Sequence, residues 1–201
     1  MDASIIGYTS LVLILMATLL HVRRVWSGEI VIHPISWAIW FLVSFAILLS
    51  YNSMETKYEL YAAIGNVIYP GSNFLLSFRQ KVKIELSYWD YAALLIAVLA
   101  MILWWFVKND AGLSSYANYL AIIADMCALI PTILLVKSNP MIEKPLPWIC
   151  FSLGFGVSIF AITSHSIANY ILPLYMLIGA GAVAVIQIQY RKRNNIRSSW
   201  Y

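Results

Sequence analysis

Charge is scarce in this chain. Only 11% of its 201 residues are Asp, Glu, Lys or Arg, against about a quarter in soluble domains. That scarcity excludes a soluble domain of any size. The net charge of +4 is no sign of nucleic-acid binding, because the cations lie between apolar runs and in the tail. Cysteine is scarcer still: Cys127 and Cys150 both fall inside apolar runs and read as small buried side chains, not a disulfide framework. The chain has no Gly-rich phosphate loop, no nucleophile elbow and no metal-ligand spacing. His21, His33 and His165 stand apart, and His33-Pro34 reads as helix-start chemistry. Asp125 is the one acid deep in an apolar run, so the paired polar groups that a membrane enzyme needs are missing. The expectation is a non-enzyme without a cofactor. The first apolar run has no positive segment before it and is followed by Arg23 and Arg24. It reads as a retained helix and not a cleaved signal.

What the chain has is apolar length, with 62% hydrophobic residues and a mean hydropathy of +0.78. Seven spans are expected, at 5–25, 34–50, 58–78, 89–107, 115–136, 145–163 and 169–190. Each approaches the ~20 residues that cross a hydrocarbon core of about 30 Å. The N-terminus and the even loops hold only Lys57 and Lys108. The odd loops and the tail hold eleven cations: Arg23, Arg24, Arg79, Lys81, Lys83, Lys137, Lys144, Arg191, Lys192, Arg193 and Arg197. By the positive-inside rule the N-terminus is outside and the C-terminus cytoplasmic, in a plasma or inner membrane. An odd number of spans requires opposite ends, so the two inferences agree.

The fifth span carries the chemistry. Ser114, Asn118, Ala121, Asp125, Ala128 and Thr132 recur at steps of four and three, forming one stripe of small and polar residues. An ionisable group at mid-membrane costs about 2.5–3.5 kcal/mol on insertion scales, so Asp125 must face the protein interior. The plainer reading makes it a packing residue bonded across helices. The functional one makes it a proton or cation site lining a cavity. Pro131 and Thr132 are expected to break this helix ahead of a basic turn.

The third span places Asn66, Pro70, Asn73 and Ser77 on one face, with Tyr69 beside the proline. It reads as half of a binding site or as an interhelical amide clamp. Pro70 frees a backbone carbonyl one turn earlier. On the seventh span Pro173 lies on a comparable face, which offers only small residues at matching depth. Pro70, Pro131 and Pro173 are candidate hinges. Trp40 is deep enough to serve as a wall or gate, whereas Trp37 and Trp148 read as interfacial belt residues. The fourth span has no polar group below its ends and reads as a lipid-facing linker.

The two sides of that linker can be overlaid. Pro34-x-x-Trp37 and Pro145-x-x-Trp148 open the second and sixth spans at an offset of 111 residues, which also pairs Tyr8 with Tyr119, Ser27 with Ser138 and Lys81 with Lys192. The expected organisation is a three-helix bundle over 1–83, a linker helix over 84–111, and a second bundle with a basic tail over 112–201. The repeats are parallel, because four spans separate corresponding helices.

This layout resembles the SWEET and PQ-loop transporter superfamily. Pro131-Thr132 is similar to its Pro-Gln motif, with Thr132 in place of Gln and Leu20-His21 at the corresponding place in the first half. The resemblance implies a substrate site between the third and seventh helices, to which Asn66 and Asn73 would contribute. Cystinosin-like members couple transport to protons through intramembrane acids, which gives Asp125 a direction. The sequence therefore points to an all-α, multi-pass membrane transporter of a small polar solute, possible proton linkage included. Two bundles would rock about a cavity lined by Asn66, Tyr69, Asn73, Asp125, Thr132 and Trp40. The alternative is a seven-helix receptor or assembly protein on the same scaffold. Expected partners are the solute or a proton, the lipid bilayer and a second copy of the chain through Gly-bearing faces.

Overall fold

The computed structural model describes residues 2–32, 34–54, 56–80 and 87–196. Lys81, Lys83 and Arg197, three of the cations used for orientation, lie outside the described residues, as does His33. Among the described residues there are seven α-helices, one short 3-10 turn and no strand. They are α1 (Ala3–Trp26), α2 (Pro34–Ser53), α3 (Leu60–Ser77), α4 (Tyr88–Val107), α5 (Ala111–Ser138), α6 (Pro145–Ser158) and α7 (Ile167–Arg193). Five of them, α1, α2, α4, α5 and α7, are long and apolar enough to cross a membrane. This is a helical, multi-pass membrane protein.

Local chemistry sets several helix ends. Asp2 and Asp110 accept hydrogen bonds from the backbone N–H of Ser4 and Leu113. Ser87 and Asp90 form a reciprocal capping box at the start of α4. Two ends differ from expectation. The sixth helix stops at Ser158, not at 163, and finishes in a 3-10 turn, Ile159–Ala161. There the Ser158 hydroxyl donates to the Phe155 carbonyl, satisfying one of the last backbone acceptors. The fifth helix does not end at Pro131-Thr132 but continues to Ser138. A proline removes one N–H and frees the carbonyl four residues earlier, and a membrane helix tolerates this where the break lines a cavity. Pro131 does line one.

The packing order is simple. In the first half α3 lies between α1 and α2, which do not meet among the described residues; in the second, α7 lies likewise between α5 and α6. Across the molecule α1 packs on α6 and α2 on α5, while α4 leans on α2 and α5. Helix α4 buries Ala93, Ala97 and Ala100 and exposes Leu94, Leu95, Val98, Leu99 and Ile102. A small-residue face thus packs against protein while the bulky face is left outside. It is not wholly apart from the interior, since Asp90 lines a cavity.

Helix α1 is wedged between the halves by Ile14, which is fully buried. A Cβ added at Gly65 of α3 would come within 2.8 Å of Ile14 Cγ2, and one at Gly154 of α6 within 2.6 Å of Ile14 Cγ1. Both glycines exist so that α1 can approach. Gly154→Ala should therefore lower thermal stability in nanodiscs by about 1–3 kcal/mol. Combining it with Ile14→Ala should cost less than the two single losses added, because the clashing atoms are gone; simple additivity would contradict the wedge.

Candidate functional site

Five of the six stripe residues of α5, Ser114, Asn118, Ala121, Asp125 and Ala128, are buried, while Thr132 is partly exposed. Asp125 points into a chamber of about 30 Å3 together with Trp40, Ser44, Asn66, Tyr69, Trp148, Phe151 and Tyr175. That volume holds about two waters. Tyr175 of α7 donates its hydroxyl to Asp125 Oδ2 at 2.8 Å. Among the described residues this is the only hydrogen bond to the carboxylate, and no cation pairs with it. The expectation that α7 offers only small residues at this depth is thus corrected. Tyr175 lies beside the small-residue face and reaches across to α5.

Asn66 also reaches the chamber, is 2% exposed, and leaves its Nδ2 without an acceptor. The indole N–H of Trp148 is likewise unpaired. Tyr69 packs against Phe151 with ring centroids 4.9 Å apart, and Trp40 meets Trp148 edge-on at 6.3 Å. Trp37 and Trp148 are 8% and 3% exposed, so neither is a belt residue. They belong to the interior aromatic cluster, where Trp37 stands 5.1 Å from Trp40.

Trp40 and Trp148 also bound a second cavity of about 180 Å3, lined by Ser36, Asp90, Pro131, Thr132 and Glu143. This vestibule lies toward the arginine-bearing end of the bundle. Thr132 and Pro131 line it and not the chamber, so the two tryptophans separate them from Asp125. Pro70 is in the chamber wall, whereas Pro173 is buried in α7 and lines neither cavity. All three prolines lie within continuous helices.

Asn73 is elsewhere. Its Nδ2 donates to the Tyr69 carbonyl at 2.9 Å, which fixes the orientation of the amide. Its Oδ1 then faces His21 Nδ1 at 2.8 Å. A carbonyl oxygen only accepts, so Nδ1 carries the hydrogen. The other ring nitrogen, Nε2, faces Glu143 Oε2 at 3.6 Å, and neither atom has a hydrogen bond. The His21 ring is fully buried, with Trp37 and Tyr69 within 5.5 Å. Sequence reasoning set His21 aside as isolated and missed Glu143, because their partners come from distant segments.

Two cations of this end, Arg24 and Arg191, are engaged with loops. Arg24 donates to Glu29 at 3.2 Å and holds that carboxyl below its ordinary value. Arg191 donates to the Glu143 carbonyl at 3.2 Å. Burial, then Arg24 and Arg191 nearby, push the Lys144 ammonium down. Among the described residues no Lys, Arg or His lines the chamber or the vestibule.

No family model, no curated protein and no solved structure matches the chain. The chemistry of the site rests on its own geometry.

Breaking the His21 cluster tests its bonding. His21→Leu strands Glu143 and the Asn73 acceptor, and should cost about 1–3 kcal/mol of thermal stability. Glu143→Gln should cost less, since its amide N–H can donate to Nε2. Equal losses would show that His21 contributes only bulk.

Proposed function

We propose that this protein is a transporter of a small polar solute, with Asp125 as its proton-coupling group. The observation that carries the reading is a lone carboxylate with one tyrosine partner in a polar-edged chamber between helices of both halves. An ionisable group kept at such depth without a counter-ion is a site before it is glue. The chamber walls come from α2, α3, α5, α6 and α7, so relative movement of the halves would change its shape.

The packing supports two parallel three-helix repeats joined by α4. Exchanging α1 with α5, α2 with α6 and α3 with α7 turns the α1–α3 contact into α5–α7, α2–α3 into α6–α7, and α1–α6 into α2–α5. Such an arrangement is the SWEET-like and PQ-loop-like scaffold that the sequence resembles, here with seven spans. The N-terminus is outside and the basic end cytoplasmic, in a plasma or inner membrane. Trp40 and Trp148 then form a gate between the chamber and a cytoplasmic vestibule. Pro70 and Pro131, each in a cavity wall, are the bending points.

A second reading, a non-transporting receptor or assembly protein, draws on one observation: the chamber holds only about two waters. Uptake into proteoliposomes from a panel of small solutes separates the two. With an imposed proton gradient, wild type should accumulate its solute, and Asp125→Asn should lose that accumulation. Accumulation unchanged by Asp125→Asn would remove the proton link; no uptake of any solute would favour the second reading.

A further inference from the structure

Among the described residues, both cavities are lined by acids and by no base. Asp125 faces the chamber, and Asp90 and Glu143 face the vestibule. This occurs beside an end of the molecule rich in Arg and Lys. A path lined with one sign of charge concentrates ions of the other sign and repels its own. An anion or a ligand carrying a free carboxylate would find no cation among the described residues lining either cavity.

The chamber says more about the cation. Asp125 is enclosed by the rings of Trp40, Tyr69, Trp148, Phe151 and Tyr175. Aromatic faces attract ammonium groups through their quadrupole. Two residues of the chamber wall hold buried donors without acceptors, Asn66 Nδ2 and Trp148 Nε1. They ask for an oxygen on the bound molecule. A carboxylate with aromatic walls and two spare N–H groups matches an ammonium and a hydroxyl held a short distance apart.

We infer that the transported solute is a small hydroxylated ammonium cation of the amino-alcohol class. This rests on the transport reading and narrows its substrate. The ammonium sits against Asp125 and the rings, and the hydroxyl oxygen accepts from Asn66 and Trp148. A larger substituent on nitrogen would extend past Trp40 and Trp148 into the vestibule.

Four molecules of similar size test each element. Ethanolamine has the charge and the hydroxyl, ethylamine only the charge, ethylene glycol only hydroxyls, and glycine adds a carboxylate. Equilibrium binding to the purified protein in nanodiscs should favour ethanolamine over ethylene glycol and glycine by about tenfold or more, with ethylamine between. Asp125→Asn should erase the preference for charge. Trp40→Leu should weaken ethanolamine about 3-fold or more, and Trp40→Phe should restore most of that. Asn66→Ala should narrow the gap between ethanolamine and ethylamine. Size-exclusion profiles identify any variant that fails to fold, and the four-ligand comparison on wild type decides without variants.

Glycine or ethylene glycol binding as tightly as ethanolamine overturns the cation assignment; if it is also taken up, the transport reading survives. Ethylamine equal to ethanolamine overturns the hydroxyl half of the assignment. Selective ethanolamine binding without uptake keeps the cation site and overturns transport.

Discussion

A carboxylate with no cation beside it among the described residues, set midway along an apolar helix, constrains everything packed around it. Lipid would charge several kcal/mol for that group, and so would a dry core. Asp125 is instead turned inward, takes a hydrogen bond from Tyr175, and borders a space large enough for about two waters. To surround it, the fold brings α2, α3, α6 and α7 to one point on α5. Small residues make this approach feasible. Ala121 and Ala128 flank Asp125 on its own face, and Gly179 of α7 meets Leu129, where an added Cβ would lie 2.7 Å from Leu129 Cδ2. The polar stripe and the close packing of α7 on α5 are one device.

The basic end follows a different rule. Two of its cations bond to loop groups, Arg24 to the Glu29 carboxylate and Arg191 to the Glu143 backbone. They anchor the loops that frame the vestibule without entering it. The His21 cluster joins α1, α3 and the loop before α6 through Asn73 and Glu143. Ile14 then holds the same α1 between Gly65 and Gly154. Helix α1 is therefore attached to both halves at two heights, by shape in the middle and by polar contacts near the basic end.

Much of this was legible before any coordinates. Hydropathy located the seven helices, and the three-and-four spacing of the α5 stripe determined which way Asp125 faces, because helix periodicity is local. The residues that complete the site were not legible. Tyr175 lies 50 residues from Asp125, off the small-residue face of α7, and meets the acid only because of how the two helices pack. His21 and Asn73 are 52 residues apart, and Glu143 belongs to a loop with no periodicity to read. Trp37 and Trp148, near helix starts, have the sequence appearance of belt residues; only packing shows them buried. Pro131 looked like a break because proline disfavours helix interiors, yet a cavity wall tolerates the missing bond.

Water access at position 125 tests the account most directly. In a chain with Cys127→Ser and Cys150→Ser, a single thiol from Asp125→Cys should react with a small, water-borne methanethiosulfonate reagent in intact membranes. Leu95→Cys, on the lipid-facing side of α4, supplies the comparison and should stay unmodified under the same conditions. Faster labelling at 125 than at 95 is the predicted result. Labelling at 125 no faster than at 95 would contradict a wet chamber around the acid, and with it the function built on that chamber.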